Sequence, residues 1–348
     1  MSETRRRVLL VDDERLARTG LKQLLLEHPD FEVVRECSNG REAIEALENE
    51  EFELVLLDIE MPEMDGLSFL EKIMALRPMP VVMISSLTQR GTAQSLRALE
   101  LGVCDIIGKP NYDLQTNFVA MRQEILSKVR GAATAKIRPP AHLKKHVAKK
   151  ATVKPAVDLI VIGASTGGVV AIREVLPLLP EGCPPILVVQ HMPEAYTSGL
   201  AERLDLMSRV TVVESQDKMP LEAGKVYIAH GGQHLRVAKK GTKYELEHGD
   251  DENVSGHKPS VDALFESVVE NFDGKVVGVI MTGMGRDGAR GMLALRRAGH
   301  YTIGQSEDSC VVYGMPRVAM EVGGVEEQVP LSKIATTIEG RCWPNKKN

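Results

Sequence analysis

The chain has 348 residues, of which 43% are hydrophobic, 26% charged and only 4% aromatic, and its net charge is −5. That length predicts two domains, and the acidic balance argues against nucleic acid as a partner, because a duplex binder carries a basic excess to neutralise phosphates. No apolar run approaches the ~18–20 residues that span a bilayer, and Asp12, Asp13 and Glu14 interrupt the first run where a signal peptide would continue. The sequence therefore predicts a soluble, cytoplasmic protein with no membrane insertion.

Five cysteines (Cys37, Cys104, Cys183, Cys310, Cys342) lie far apart with no C-x-x-C pair, which predicts buried thiols rather than a zinc site or a disulfide framework. From about residue 5 to 130, short apolar runs at 7–11, 31–37, 53–57, 80–85 and 104–107 alternate with segments of helical spacing such as Leu21, Leu24 and Leu25. Strand then helix, repeated, predicts an α/β domain with a parallel sheet covered on both faces. The segment 131–157 changes character: seven Lys/Arg, three prolines and no acid read as a basic, semi-flexible linker. Alternation resumes at Asp158, with strands expected at 159–163, 185–190, 210–215, 225–229, 276–283 and 301–304, and a hairpin turning at Lys240-Gly241. The domain boundaries read from this are 1–130, linker 131–157 and 158–348. Both domains are expected to be doubly wound parallel sheets, the second carrying the antiparallel hairpin as an insertion.

Asp12 and Asp13 directly follow the first strand, Asp58 the third, Ser85 ends the fourth and Lys109 follows the fifth. Residues just past the carboxyl ends of strands in such a sheet face one crevice. Three carboxylates there need a cation, and all-oxygen ligation suits Mg²⁺. With a lysine and a hydroxyl added, the set suits phosphoryl transfer onto an aspartate. Asp13 alone would serve equally well as a helix cap. In order and spacing, "VDDE", "LLDIEMPEMDG", "ISS" and "GKP" resemble a response-regulator receiver domain over residues 7–125. The resemblance implies Asp58 as phospho-acceptor and Asp12, Asp13, Asp58 and the Glu60 main-chain carbonyl as Mg²⁺ ligands, with Ser85 as switch hydroxyl and Lys109 as phosphate sensor. Ile106 stands where many receivers carry a switch aromatic.

In the second half, "VIGASTGG" (161–168) holds Ser165 in a G-x-S-x-G turn after a strand. Such a turn is shared by nucleophiles and phosphate cradles. A P-loop lysine is missing after Gly168, and the next strand ends in Gln190-His191 instead of a ribose-binding acid. His191 is a base of the right type, with His230 after "KVYIA" as a formally similar competitor. Asp287 in "MTGMGRDG" is the candidate orienting acid, and the glycines around Met284 allow main-chain N–H groups to form an oxyanion hole. The chain order Ser…His…Asp differs from that of α/β-hydrolases, subtilisin and chymotrypsin.

Together "GASTGG", "QHMP", "HKPSVDALF" and "MTGMGRDG" resemble the chemotaxis protein-glutamate methylesterase family, commonly called CheB, over essentially the whole chain. That resemblance implies Ser165, His191 and Asp287 as the catalytic triad, and Met284 N–H with main chain near Thr166 as oxyanion donors. His230 occupies a position that is usually proline in the family. It further implies hydrolysis of glutamate methyl esters on the cytosolic domains of chemoreceptors, deamidation of certain receptor glutamines, no cofactor in the catalytic half, and a chemotaxis histidine kinase as phosphoryl donor. "HKPSVDALF" (257–265) reads as structural, Pro259 and Ser260 starting a helix that buries Val261, Leu264 and Phe265. An unphosphorylated receiver covering the catalytic crevice is the regulatory expectation. A receiver-linked nucleotide-dependent enzyme and a non-catalytic receptor adaptor are the competing readings.

Overall fold

A computed structural model of the protein describes residues 5–85, 88–109, 118–137 and 154–344. Two compact units divide at Ala141/His142. The first contains β1 (Arg6–Val11), α1 (Arg15–Leu26), β2 (Phe31–Cys37), α2 (Gly40–Asn49), β3 (Leu54–Asp58), α3 (Gly66–Leu76), β4 (Val81–Ser85), α4 (Gln89–Glu100), β5 (Asp105–Gly108) and α5 (Phe118–Ala133). Its strands form one parallel sheet in the order β2-β1-β3-β4-β5. The central strands β3 and β4 are buried throughout, which is why they read as unbroken apolar runs and not as alternating ones. Asn39 and Asp65 cap α2 and α3 by accepting main-chain N–H bonds.

The second unit contains β6 (Leu159–Ala164), α6 (Gly168–Val175), β7 (Ile186–Gln190), α7 (Glu194–Met207), β8 (Thr211–Glu214), β9 (Lys225–Ile228), β10 (His234–Lys240) and β11 (Lys243–Gly249). It continues with α8 (Val261–Asn271), β12 (Val276–Ile280), α9 (Ala289–Arg297), β13 (Tyr301–Gln305), α10 (Met315–Glu321), β14 (Glu327–Val329) and α11 (Leu331–Cys342). Seven parallel strands run β14-β13-β12-β6-β7-β9-β8, and β10-β11 form a separate antiparallel hairpin. The chain winds outward from β6 in both directions, so the sheet reverses its order beside β6, where open α/β sheets place their sites.

Three expectations need adjustment. The edge strand β14 was not foreseen, since "EQV" is short and half charged and is made a strand by pairing with β13. Helix α5 extends to Ala133, three residues into the segment read as linker, with Ala132 buried; residues 138–153 of that segment lie outside the described residues. Strand β12 stops at Ile280, before the "MTG" included in the expected run. All five cysteines are buried, and burial pushes the thiols of Cys104, Cys183 and Cys342 up to about 12.

Candidate active site and phosphorylation site

In the first unit, Asp12, Asp13 and Asp58 each bring a carboxylate oxygen within 4.8 Å of the others. Gly66 lets the start of α3 pack against the main chain at the end of β3: a Cβ there would lie 2.1 Å from the Asp58 carbonyl oxygen. Asp58 accepts from its neighbour's N–H (Ile59, 2.7 Å) and from Lys109 Nζ (2.7 Å). The same ammonium lies 3.3 Å from Asp12 and 3.4 Å from Glu14. One cation among so many carboxylates is outnumbered. Burial, with the Asp12 charge, outweighs Lys109 and pushes the Asp58 carboxyl up to about 6, and burial raises Asp12 as well. Lys109, which burial alone would lower, is held well above the ordinary lysine range by the acids.

The buried Asp12 Oδ2 meets the Lys109 ammonium at 3.3 Å but makes no well-aligned hydrogen bond, and three oxygen donors with surplus negative charge fit a small divalent cation. Asp13 does not cap α1. The cap position is Glu14, whose own side chain makes no cap bond and whose N–H goes to Asp12 Oδ1 at 2.8 Å. Ser85 is fully buried at the end of β4, and its carbonyl accepts from Lys109 N–H at 2.7 Å. Ile106 is buried in β5.

In the second unit, the β6–β7 register pairs Ala164 with Gln190, so Ser165 and His191 each lie one residue past adjacent strand ends. Ser165 is 9% exposed. Its turn is tight because Gly167 has φ +77°, and Gly168 leaves room for the Gln190 amide, whose Oε1 would be 2.1 Å from any Cβ there. Gln190 Nε2 donates to the carbonyls of Ser165 (3.0 Å) and His191 (3.2 Å), tying the Ser165 turn to His191. On the other side, Ser165 N–H donates to the Thr282 carbonyl at 3.0 Å, and Thr282 Oγ1 donates within reach of the Thr166 carbonyl.

His191 Nε2 lies 2.7 Å from Asp287 Oδ2. An ionised carboxylate only accepts, so Nε2 carries the proton and Nδ1 of the neutral ring keeps the lone pair. That Nδ1 is buried and takes no hydrogen bond. No bond joins it to Ser165 in this structure; catalytic hydrogen bonds are often long before substrate tightens them. His230 instead sits near Glu214 (3.7 Å) and Glu194 (3.8 Å).

Asp287 is placed by α8. Its Oδ1 accepts from Ser260 Oγ (2.8 Å) and Asp262 N–H (2.9 Å), its Oδ2 from Val261 N–H (2.8 Å). Burial would raise this carboxyl, but His191 and the two helix N–H groups outweigh it and hold Asp287 below the usual range. The segment 257–265 is therefore more than structural. It starts α8 at Ser260 and buries Val261, Leu264 and Phe265 as expected, and it also holds the Asp287 carboxylate. Sequence reasoning missed Gln190, Thr282 and Ser260 as site residues; the quoted "QHMP" and "HKPSVDALF" were the available signals. Met284 follows Gly283, whose added Cβ would meet Ser165 Cβ at 2.7 Å, so the chain just before Met284 packs against Ser165.

Residues 160–338 match the CheB methylesterase family and residues 8–117 the response regulator receiver domain family. A protein-glutamate methylesterase/protein-glutamine glutaminase of Caulobacter vibrioides is 49% identical over 336 residues, 95% of this chain and 96% of that protein. One of Bordetella bronchiseptica is 46% identical over the same shares. The crystal structure of the Thermotoga maritima CheB methylesterase catalytic domain, 36% identical, superposes with a TM-score of 0.51, covering 52% of this chain and 97% of that one. Among the described residues no helix is long and apolar enough to cross a membrane.

Proposed function

Given that the chain belongs to the CheB methylesterase family and carries an N-terminal receiver domain, we propose that Ser165, His191 and Asp287 are its catalytic triad and Asp58 its phosphorylation site. The protein is a receiver-regulated protein-glutamate methylesterase/protein-glutamine glutaminase of chemotaxis adaptation. Its substrates are glutamate methyl esters and specific glutamines on the cytosolic domains of chemoreceptors, which places it in the cytoplasm.

The chemistry follows from the tautomer. Ser165 Oγ attacks the ester carbonyl while His191 takes its proton on Nδ1, and Asp287 stabilises the resulting imidazolium through Nε2–H. Main-chain N–H groups of Met284 and Thr166 receive the oxyanion. His191 returns the proton to methanol as it leaves, or to ammonia when the substrate is an amide. Water, deprotonated by the same nitrogen, then hydrolyses the acyl-enzyme and restores Ser165.

In the receiver, Asp12, Asp13, Asp58 and the Glu60 carbonyl would hold Mg²⁺, whose charge neutralises the acidic pocket and the incoming phosphoryl oxygens. Asp58 accepts the phosphoryl group from a chemotaxis histidine kinase, Lys109 pairs with the new charge, and the Ser85 hydroxyl responds to it.

The observation that carries the esterase reading is the Asp287–His191 hydrogen bond beside Ser165. Methanol release from methylated receptor tests it: Ser165→Ala should bind receptor and release none. Undiminished release from that variant would sink the triad. For the receiver, phosphorylation should speed release by the wild type and leave Asp58→Ala unaffected.

A further inference from the structure

The His257 imidazole stacks on the His191 imidazole, with ring centroids 3.9 Å apart and planes inclined by 11°. We propose that His257 is a positioning residue for His191: its ring fixes the plane of the base and favours the imidazolium that forms in each half-reaction. This rests on the triad reading given above.

Three observations converge on it. The first is geometry at the base. Asp287 fixes His191 at one ring edge, through Nε2, and a single edge contact leaves the ring free to swing about that bond. A face-on partner removes the remaining freedom, so edge and face together define where Nδ1 points. His191 is 8% exposed at its side chain.

The second is how firmly His257 is itself held. Val254 and His257 exchange main-chain hydrogen bonds (3.2 and 3.0 Å) across a two-residue turn. The turn residues Ser255 and Gly256 have φ of +52° and +85°, the left-handed pair that a type I′ turn needs. Ser255 Oγ donates to Asp262 Oδ2 at 2.6 Å. Asp262 also gives its N–H to Asp287 and takes one from Gly291 (2.9 Å). Beyond His257, Lys258 Nζ bonds Asp250 Oδ1 (2.8 Å) and the Asp251 carbonyl (3.2 Å). One stretch of chain, 254–263, thus presents both the face partner and the helix end that grips the acid.

The third is charge. His191 becomes a cation when it takes the serine proton, and the π face of a neutral aromatic ring at this spacing attracts a cation. A phenyl ring has the same property. The role therefore asks for a flat ring and not for an imidazole nitrogen.

The test uses the full chain with methylated receptor. His257→Ala should lower kcat by about 10–100-fold with little change in KM, the scale on which a small misplacement of a catalytic group acts. His257→Phe should restore kcat to within about threefold of wild type. Ser255→Ala, which unpins the turn but keeps His257, should fall between them. The downfield proton of the His191 Nε2–H···Asp287 bond, followed by NMR, should broaden in His257→Ala and sharpen again in His257→Phe. Unchanged kcat and an unchanged resonance in His257→Ala overturn the proposal. So does an equal loss in the Ala and Phe variants with folding intact by thermal denaturation. Retained turnover in Ser165→Ala sinks the triad reading instead, and the resonance then decides the stack by itself.

Discussion

Ser260 serves Asp287 twice: its hydroxyl donates to Asp287 Oδ1 at 2.8 Å, and by accepting from Ala263 N–H it starts the helix whose first two N–H groups bind the same carboxylate. Replacing Ser260 with Ala should cost about 1–2 kcal/mol of stability, the usual value of a lost helix cap. Methanol release should fall roughly tenfold in kcat with KM unchanged, because the acid loses a donor and its seat loosens together. Denaturant unfolding alongside steady-state kinetics separates the two effects, and a variant with normal kcat would show that the helix N–H groups suffice.

Asp287→Asn is nearly isosteric but electrically wrong. With the amide oxygen kept on Ser260 and Asp262, its NH₂ would face Val261 N–H and His191 Nε2. His191 then has to accept at Nε2 and carry its proton on Nδ1, where the lone pair is needed. A kcat reduction of about 10³–10⁴-fold, as for an orienting aspartate elsewhere, with receptor binding preserved, is the expected result.

Asp58 makes the receiver less stable as pH rises. Its folded-state carboxyl stands at about 6 against an ordinary value of 3.8, so the folded form binds more protons between those values and stability falls across that window. Below about pH 4 the penalty is absent; above about pH 6 it is complete, on the order of 1–3 kcal/mol. Calorimetry of the full chain should show the receiver transition rising in Asp58→Asn at pH 7 and little changed at pH 4. Added Mg²⁺ should raise the wild-type transition at pH 7, and raise it much less once Asp58 is protonated or replaced.

Gly168→Ala would set a methyl 2.1 Å from Gln190 Oε1 and 2.7 Å from the Ala164 Cβ. The Gln190 amide cannot yield without releasing the carbonyls of Ser165 and His191. A loss of about 1–3 kcal/mol is expected, together with reduced kcat. In a Gln190→Ala background the same substitution should be cheaper, so a double-mutant cycle measures the coupling.

The sequence showed the strand ends well, because fully buried parallel strands are apolar throughout and their carboxyl ends are marked by Asp12, Asp58, Ser165 and His191. Register then follows from the winding. What it could not show is which element grips Asp287: Ser260, Val261 and Asp262 lie 25–27 residues away, and only the packing of α8 beside α9 brings them in. Gln190 was hidden for another reason. A glutamine ending a buried strand looks like a surface residue until its amide is seen spanning two carbonyls. β14 was missed because an edge strand of three residues draws its identity from its neighbour.

The two buried aspartates also differ in how much of their electron density is already committed. Among the described residues Asp287 receives four donors, two on each oxygen, whereas Asp58 receives two, one on each. A carboxylate has about four lone-pair sites. Asp287 has filled them all, which suits a fixed negative pole. Asp58 keeps about half, and burial raises its affinity for a proton. In the reading proposed above, the first is a fixed orienting pole and the second a phosphoryl acceptor, and the difference in donor count fits that division of roles.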